Sequence, residues 1–276
     1  MNLEISSDSF RKIRDLLHQH AGILLGDTKT VLVAGRLWRR LQLLGCNNYE
    51  DYLALINGPG GRDELALMID LLTTNETYFF REPAHFRLLC EQILPSVNPS
   101  PFRVWCAASS SGEEPYSIAM CLADNLGMSG WELLATDISR RVLAQAREGN
   151  YRMERLENMP PRYLRDYCLR GVGEMAGRMI VIPRLRDKVV FAQHNLLGPL
   201  AGEGQFDVIF LRNVLIYFDQ NTKQRVLDNL VQKLRPGGWL VLGHCEALGS
   251  VKSTLTPQCP SVYRKPETNP LSRVSA

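Results

Sequence analysis

Long apolar runs are missing from this sequence. None approaches the length that a bilayer-spanning helix requires, so no direct membrane insertion is expected. The first residues, Met1-Asn2-Leu3-Glu4-Ile5, have neither the basic start nor the apolar core of an export signal, and a cytoplasmic location follows as the expectation. The seven cysteines form no C-x-x-C pair and no Cys/His cluster at zinc spacing; positions such as Cys46, Cys90, Cys106 and Cys121 are scattered. That argues against a metal module and fits mostly buried, reduced thiols in a reducing compartment. A surplus of one charge is also lacking: a net +3 is too small to point to nucleic acid.

What is present is ordinary for a water-soluble globular protein. Hydrophobic residues make up 45% and charged residues 22%, and 276 residues suit a main domain with a smaller companion. Over residues 8 to 72 apolar positions recur at helical spacing, as in Phe10, Ile13, Leu16 and Leu17 and again in Leu37, Leu41 and Leu44. Gly26-Asp27, Gly45-Cys46-Asn47 and Gly58-Pro59-Gly60-Gly61 separate these helices. After about residue 83 short apolar runs alternate with amphipathic stretches, the pattern of β-α units on a parallel sheet.

The strands expected there are 103–107, 132–136, 207–211 and 239–243, with helices over 115–126, 139–148 and 222–234. Ser139 is the expected N-cap of the second helix, and Pro236-Gly237-Gly238 a stop. Residues 163–194 break the alternation and read as three antiparallel strands, 163–170, 179–183 and 189–194, joined by Gly-rich and charged turns. The expected architecture is α/β, with an all-helical N-terminal domain (1–82), a doubly wound Rossmann-like domain (83–276) and a small antiparallel β-subdomain inserted at about 163–194. The tail from Pro266 is polar.

A ligand site is expected where the first of these strands meets its helix, in Val104-Trp105-Cys106-Ala107-Ala108-Ser109-Ser110-Ser111-Gly112-Glu113-Glu114-Pro115. Small residues let the backbone approach a ligand, and open α/β sheets form their crevice at the carboxyl ends of strands. A dinucleotide site needs a G-x-G-x-x-G loop to hold pyrophosphate, and the acidic Glu113 and Glu114 disfavour a phosphate and suit a cationic amino group instead. Compensation of the helix dipole is the plainer explanation of both glutamates. Asp137 ends the next strand, about where such a site places an acid for ribose hydroxyls, although helix capping beside Ser139 explains it equally. A nucleoside carrying an amino acid and no phosphate satisfies both positions, and S-adenosylmethionine is such a molecule.

Three stretches, in this order along the chain, carry a resemblance. Leu72-Thr73-Thr74-Asn75-Glu76-Thr77-Tyr78-Phe79-Phe80-Arg81-Glu82, Ser111-Gly112-Glu113-Glu114-Pro115-Tyr116-Ser117 and Arg212-Asn213-Val214-Leu215-Ile216-Tyr217-Phe218-Asp219 resemble the CheR family of chemoreceptor methyltransferases, and the likeness runs from about residue 8 to 265. It implies a Rossmann-like S-adenosylmethionine methyltransferase domain, a helical N-terminal domain and a small β-subdomain, with S-adenosylhomocysteine as product. By the same resemblance Asn75, Thr77 and Arg81 lie against the cofactor, Glu114 holds its amino group, Asp137 takes the ribose, Asn195 and Leu196 border the adenine, and Arg212 and Asn213 follow the strand ending at Leu211. Tyr217 faces the reacting methyl, while Tyr78, Phe79, Phe80 and Phe218 are read mainly as packing residues.

The implied reaction is methylation of glutamate side chains on chemoreceptors. A carboxylate is already ionised at neutral pH, so methyl transfer from a sulfonium needs no general base and alignment dominates. Arg81 and Tyr217 are the expected catalytic residues; Arg81 orients either the incoming glutamate or the cofactor's carboxylate. Arg36, Arg39 and Arg40, with Lys29 nearby, would face the receptor's cytoplasmic helices, and Arg36 and Arg40 share a face at i, i+4. A solvated basic face is the plainer reading. Some relatives resemble R-x-x-R-R-x-R there, whereas this chain has Gln42 at the last position.

Arg170-Gly171-Val172-Gly173 with Gly177 is similar to relatives whose β-subdomain takes a receptor C-terminal pentapeptide as an added strand; a Gly-rich hairpin loop is the alternative. His244, Cys245 and Glu246 are adjacent, but neighbours on an extended chain point apart, so no metal site is expected from them. His18 and His20 read as surface residues of the first helix. Two other functions share these residues: a methyltransferase for a small molecule or RNA, and a docking module without catalysis.

Overall fold

The computed structural model describes residues 4–96, 101–156, 158–202, 204–249 and 251–267. Four helices come first, each where apolar side chains recur every three or four positions. Helix α1 (Ser7–Ala21) begins where the Ser6 hydroxyl accepts the Ser9 N–H at 3.1 Å, and it buries Phe10, Ile13, Leu17 and Ala21 along one stripe. It ends at Gly22, whose left-handed φ of 73° suits glycine. A Cβ there would come within 2.7 Å of Thr222 and 2.9 Å of Leu197, so glycine also permits close docking on the second half of the chain. Helix α2 (Thr30–Leu43) buries Val33, Leu37 and Leu41; α3 (Tyr49–Asn57) is capped by Asn48, which accepts the Asp51 N–H at 2.7 Å; α4 (Gly61–Leu72) buries Met68, Ile69 and Leu72. Their inward faces share one apolar core, in which Leu17, Leu37, Tyr52 and Met68 have no exposed surface.

The remaining elements are α5 (Pro83–Leu88), β1 (Phe102–Cys106), α6 (Glu113–Leu126), β2 (Trp131–Asp137), α7 (Arg140–Glu148), β3 (Asn150–Arg152), α8 (Pro161–Tyr167), β4 (Cys168–Arg170), β5 (Arg178–Val181), α9 (Pro183–Arg186), β6 (Val189–Gln193), β7 (Phe206–Leu211), α10 (Gln220–Lys233), β8 (Leu234–Leu242), β9 (Thr256–Cys259) and β10 (Val262–Arg264). Seven strands form one sheet in the order β6-β2-β1-β7-β8-β10-β9; the first five are parallel, and β10 and β9 close one edge antiparallel. Alternation divides each strand between two cores. Phe102, Val104 and Cys106 of β1 pack with Phe86, Ile118 and Leu122 on one face, while Trp105 joins Val226, Leu227 and Leu230 of α10 on the other. β7 is buried along its whole length, which is why its sequence is continuously apolar except for Asp207.

The antiparallel insert exists, but its strands differ from those expected. Its three-stranded sheet has the order β3-β5-β4. Residues 163–167 belong to helix α8, which starts at Pro161, and residues 189–193 form β6, paired in parallel with β2 from Leu133↔Val189 to Asp137↔Gln193. Strands of three or four residues carry too little periodicity to show which sheet they join, and the parallel partner of β6 is about fifty residues away in sequence. Pro236-Gly237-Gly238 also lies inside β8, where the register with β7 shifts between Phe206 and Val208. Only Cys106 and Cys121 are fully buried; Cys46, Cys90 and Cys168 are half-buried, Cys245 and Cys259 are exposed, and all seven are free. No described helix is long and apolar enough to cross a membrane. The polar tail beyond residue 267 lies outside the described residues.

The helical domain is tied to the sheet domain across the carboxyl ends of the strands. His18 Nε2 lies 2.6 Å from Asp219 Oδ2, so His18, 39% exposed on the surface of α1 as expected, is also an interdomain contact. Asn195 Nδ2 donates to the His20 carbonyl at 2.6 Å, Ile23 bridges to Phe218, and the Leu24 N–H donates to the Tyr217 carbonyl at 2.8 Å. Asp70 of α4 accepts the Ser139 hydroxyl and, at 3.2 Å, the Arg141 N–H, which closes the first turn of α7 from the other domain.

Candidate active site

A cavity of about 410 Å³ lies where β1, β2 and β7 end beneath the helical domain. Its walls bring together residues far apart in sequence. Asn75, Thr77 and Arg81 come from the segment between the domains, Glu114 from the first turn of α6 and Asp137 from the end of β2. Asn195 and Leu196 follow β6, Arg212 and Asn213 follow β7, and Tyr217 stands beside the Leu24 backbone. Phe79, Phe80 and Phe218 are core residues, whereas Tyr78 is 39% exposed and stacks with the Arg81 guanidinium at 5.7 Å.

The two glutamates of the β1–α6 junction separate. Glu113 is fully buried away from the cavity, where Ser111 Oγ donates to it at 2.7 Å and Arg155 at 3.1 Å, and burial raises its pKa. Glu114 alone lines the cavity. Gly112 enters α6 at a φ of 100°, where a Cβ would meet the Tyr151 hydroxyl at 2.6 Å; this glycine lets the loop turn tightly enough to aim Glu114 inward.

Arg212 has no exposed side-chain surface and spans two carboxylates. Its Nη1 donates to Glu114 at 2.5 Å, and its Nη2 donates to Glu82 at 3.0 Å and to the Arg81 carbonyl at 2.5 Å. Glu82 also accepts from Asn213 Nδ2 at 3.1 Å and from the His244 N–H at 3.0 Å. Burial alone would raise the Glu82 pKa, but the hydrogen bond and charge of Arg212, with these further donors, hold it at about 2. One guanidinium between two carboxylates leaves a net negative charge in the cavity floor, which favours a cationic ligand.

Asp137 is buried, and both of its oxygens are already engaged: Oδ1 accepts the Ser139 N–H at 3.0 Å and Oδ2 the Ser110 N–H at 2.8 Å. Ser139 is the N-cap of α7, so Asp137 braces the cap residue from outside the helix, and its carboxylate also lines the cavity. Burial raises its pKa. Asn195 Nδ2 donates to the His20 carbonyl of α1 and its Oδ1 accepts the Leu197 N–H at 3.0 Å, so its side chain fastens the wall. Arg81 donates to the Glu76 carbonyl at 2.8 Å.

The basic residues of α2 do not form one outward face. Arg36 donates to the Leu72 and Thr73 carbonyls at 2.7 and 2.9 Å and so closes the end of α4. Arg40 pairs with Glu64, itself 7% exposed, which also accepts the Tyr52 hydroxyl at 2.8 Å. Arg39 is exposed and has no partner among the described residues.

Glu82 and Asp70 are site-building residues that sequence patterns gave no role, and Glu246, weighed there only as a metal ligand, is a third. Glu246 accepts the Asn213 and Gly243 N–H groups at 2.7 Å each. Backbone strain marks the same region: Phe80, Glu82, Ser110 and Asn213, four of the five non-glycine residues with positive φ among those described, flank the cavity. Local sequence carries no signal for such strain, because Phe and Glu do not favour that conformation.

A parallel sheet with a phosphate-disfavouring, acid-lined crevice at the ends of β1 and β2 defines a Rossmann-like S-adenosylmethionine-dependent methyltransferase. Residues 75–261 match the family described as CheR methyltransferase, SAM binding domain, and residues 8–73 match CheR methyltransferase, all-alpha domain. The chain belongs to the CheR methyltransferase family. It is 44% identical over 264 residues to a chemotaxis protein methyltransferase of Escherichia coli (strain K12), covering 95% of this chain and 92% of that one. It is 42% identical over 243 residues to chemotaxis protein methyltransferase 2 of Pseudomonas aeruginosa, covering 87% and 86%. A chemotaxis protein methyltransferase of Borreliella burgdorferi is 34% identical over 277 residues, with 96% of each chain covered.

Proposed function

We propose that this protein methylates glutamate side chains on the cytoplasmic helices of methyl-accepting chemoreceptors, working in the cytoplasm. The observation that carries this reading is a pair of buried carboxylates, Glu114 and Asp137, in one cavity that the cations Arg81 and exposed Lys29 also line, beside the exposed Glu76. A cationic nucleoside amino acid fits the two carboxylates, and an anionic acceptor fits Arg81 and Lys29.

S-adenosylmethionine, when bound, supplies an electrophilic methyl group on a sulfonium. Glu114, its charge shared with Arg212, holds the amino group; Asp137 holds the ribose; Asn75 and Thr77 close one side, and Asn195 and Leu196 border the adenine. Arg81 orients a carboxylate, and Tyr217 faces the reacting methyl from the opposite wall. No residue has to remove a proton, because the acceptor is already an anion at neutral pH. Rate then comes from alignment and from partial exclusion of water under the helical domain.

Residues 1–82 serve receptor recognition in this reading and residues 83–276 serve catalysis. Arg39 is the basic side chain of α2 left free to meet an acidic receptor, while Arg36 and Arg40 support the helix that presents it. β4 is an edge strand, paired with β5 alone, and the exposed Leu169, Val172 and Met175 lie beside it; a receptor C-terminal pentapeptide fits there as an added strand.

The test is transfer of labelled methyl to cytoplasmic receptor fragments. Tyr217→Phe should retain S-adenosylhomocysteine in calorimetry and lose more than about tenfold in kcat, as expected for a group that acts through orientation; Arg81→Ala should lose as much in kcat, with S-adenosylhomocysteine affinity kept if the carboxylate it orients is the glutamate and lowered if it is the cofactor's. Absence of base-labile methyl esters on receptor glutamates, or labelling of a small molecule or RNA instead, would replace this reading. Unchanged binding after trimming the receptor terminus would remove the strand-addition site.

A further inference from the structure

Behind the cavity floor, three donor groups meet that methyl transfer does not require together: Glu82, His85 and His244, with one ligand atom of each within 4.8 Å of the others. His85 sits in the first turn of α5 and is 3% exposed. Its Nε2 lies 3.2 Å from Ser261 Oγ, and the Ser261 hydroxyl donates its hydrogen to the Pro260 carbonyl at 2.7 Å. With the Ser261 hydroxyl given to that carbonyl, the tautomer that matches carries its proton on Nε2 and leaves a lone pair on Nδ1. Nδ1 has no hydrogen-bond partner, yet it is 3.5 Å from Glu82 Oε2. The unpartnered Nδ1 thus faces a carboxylate oxygen that accepts from Arg212 Nη2 and from the His244 N–H, each at 3.0 Å, and a buried lone pair set against an anion is relieved by a cation between them.

His244 packs edge-on against the His85 ring with centroids 4.7 Å apart, and it is exposed, which adds a third donor and an entry path.

We propose that Glu82, His85 and His244 form a binding site for a divalent transition-metal ion of the zinc type, with Ser261 orienting His85 from behind. Two imidazoles and a carboxylate are the donor set such an ion favours, and a histidine ligand whose other nitrogen donates to a fixed oxygen is the usual arrangement. The ion has to share Glu82 with Arg212, Asn213 and the His244 N–H. Drawing Glu82 toward the metal loosens Arg212 and Asn213 at the cofactor cavity, so metal and cofactor weaken each other's binding by the same factor.

Chelator-treated full-length protein is titrated with Zn²⁺ by calorimetry and with Co²⁺ by its visible ligand-field absorption. One ion per chain is expected. His244→Ala, at an exposed position, should weaken binding more than about tenfold with an unchanged circular dichroism spectrum, and Ser261→Ala should weaken it about 10- to 100-fold. Cys245→Ser should leave the affinity as it is. Lack of stoichiometric binding, binding that survives His244→Ala, or binding lost in Cys245→Ser overturns the site. Equal S-adenosylhomocysteine affinity with and without Zn²⁺ overturns the coupling. None of these readouts depends on which acceptor is methylated.

Discussion

Asp137 shows how one side chain serves fold and ligand together. It holds the β1–α6 loop through Ser110 and the α7 turn through Ser139, and those two N–H donors keep a buried carboxylate in place for a ribose. Asp137→Asn keeps one acceptor oxygen and gives up the charge. It should therefore lose about 1.5–3 kcal/mol of S-adenosylhomocysteine affinity, roughly 10- to 150-fold, by calorimetry. A cofactor affinity equal to wild type would show that Asp137 only braces the loops at Ser110 and Ser139. Ser139 was recognisable as an N-cap from its neighbours alone, and its side chain accepts the Val142 N–H at 3.2 Å as expected. Glu82 was not recognisable, since its importance arises from Arg212 and His244, 130 and 162 positions away.

Helix α2 divides its arginines by depth. Arg40→Ala would strand the Glu64 carboxylate, which Arg40 and Tyr52 hold below the usual glutamate range against the cost of burial. The loss should be about 2–4 kcal/mol in denaturant unfolding, since solvent reaches part of the pair. Arg39→Ala should change stability by less than about 0.5 kcal/mol and reduce methylation of receptor fragments, which separates docking from folding. Helix α7 depends on a residue of the other domain. Asp70→Ala removes the acceptor for the Ser139 hydroxyl and the Arg141 N–H and should cost about 2 kcal/mol by the same measurement. Cofactor affinity should fall with it, because Ser139 also supports Asp137.

At the scale of the whole molecule, acid acts on two groups of carboxylates with opposite sign. Glu82 and Glu64 have depressed pKa values, so their contribution to stability is present above the ordinary glutamate pKa and is lost as pH falls through the folded values, about 2 for Glu82. Asp137 and Glu113 have raised values; they cost stability as pH rises through those values and take up protons first on acidification. Cofactor affinity should therefore fall at a higher pH than the midpoint of acid unfolding, with calorimetry and circular dichroism followed over the same series. Coincident midpoints would mean that protonating Asp137 does not affect the ligand.

The helices of the N-terminal domain and four of the five parallel strands were determined by the sequence itself, because caps, turn residues and apolar period act over a few neighbouring positions and each agrees with burial in the fold. So was the presence of Glu114 at the β1–α6 junction and of Asp137 at the end of β2, the positions that point to a phosphate-free nucleoside. Only the tertiary structure decided that 189–193 joins the main sheet, that Glu113 turns away from the cavity, and that Arg36 and Arg40 face inward. Only it brought Glu82, Arg212 and His244 together. Pairing between distant segments is set by which buried surfaces and charges complement each other in space, and no local period encodes that choice.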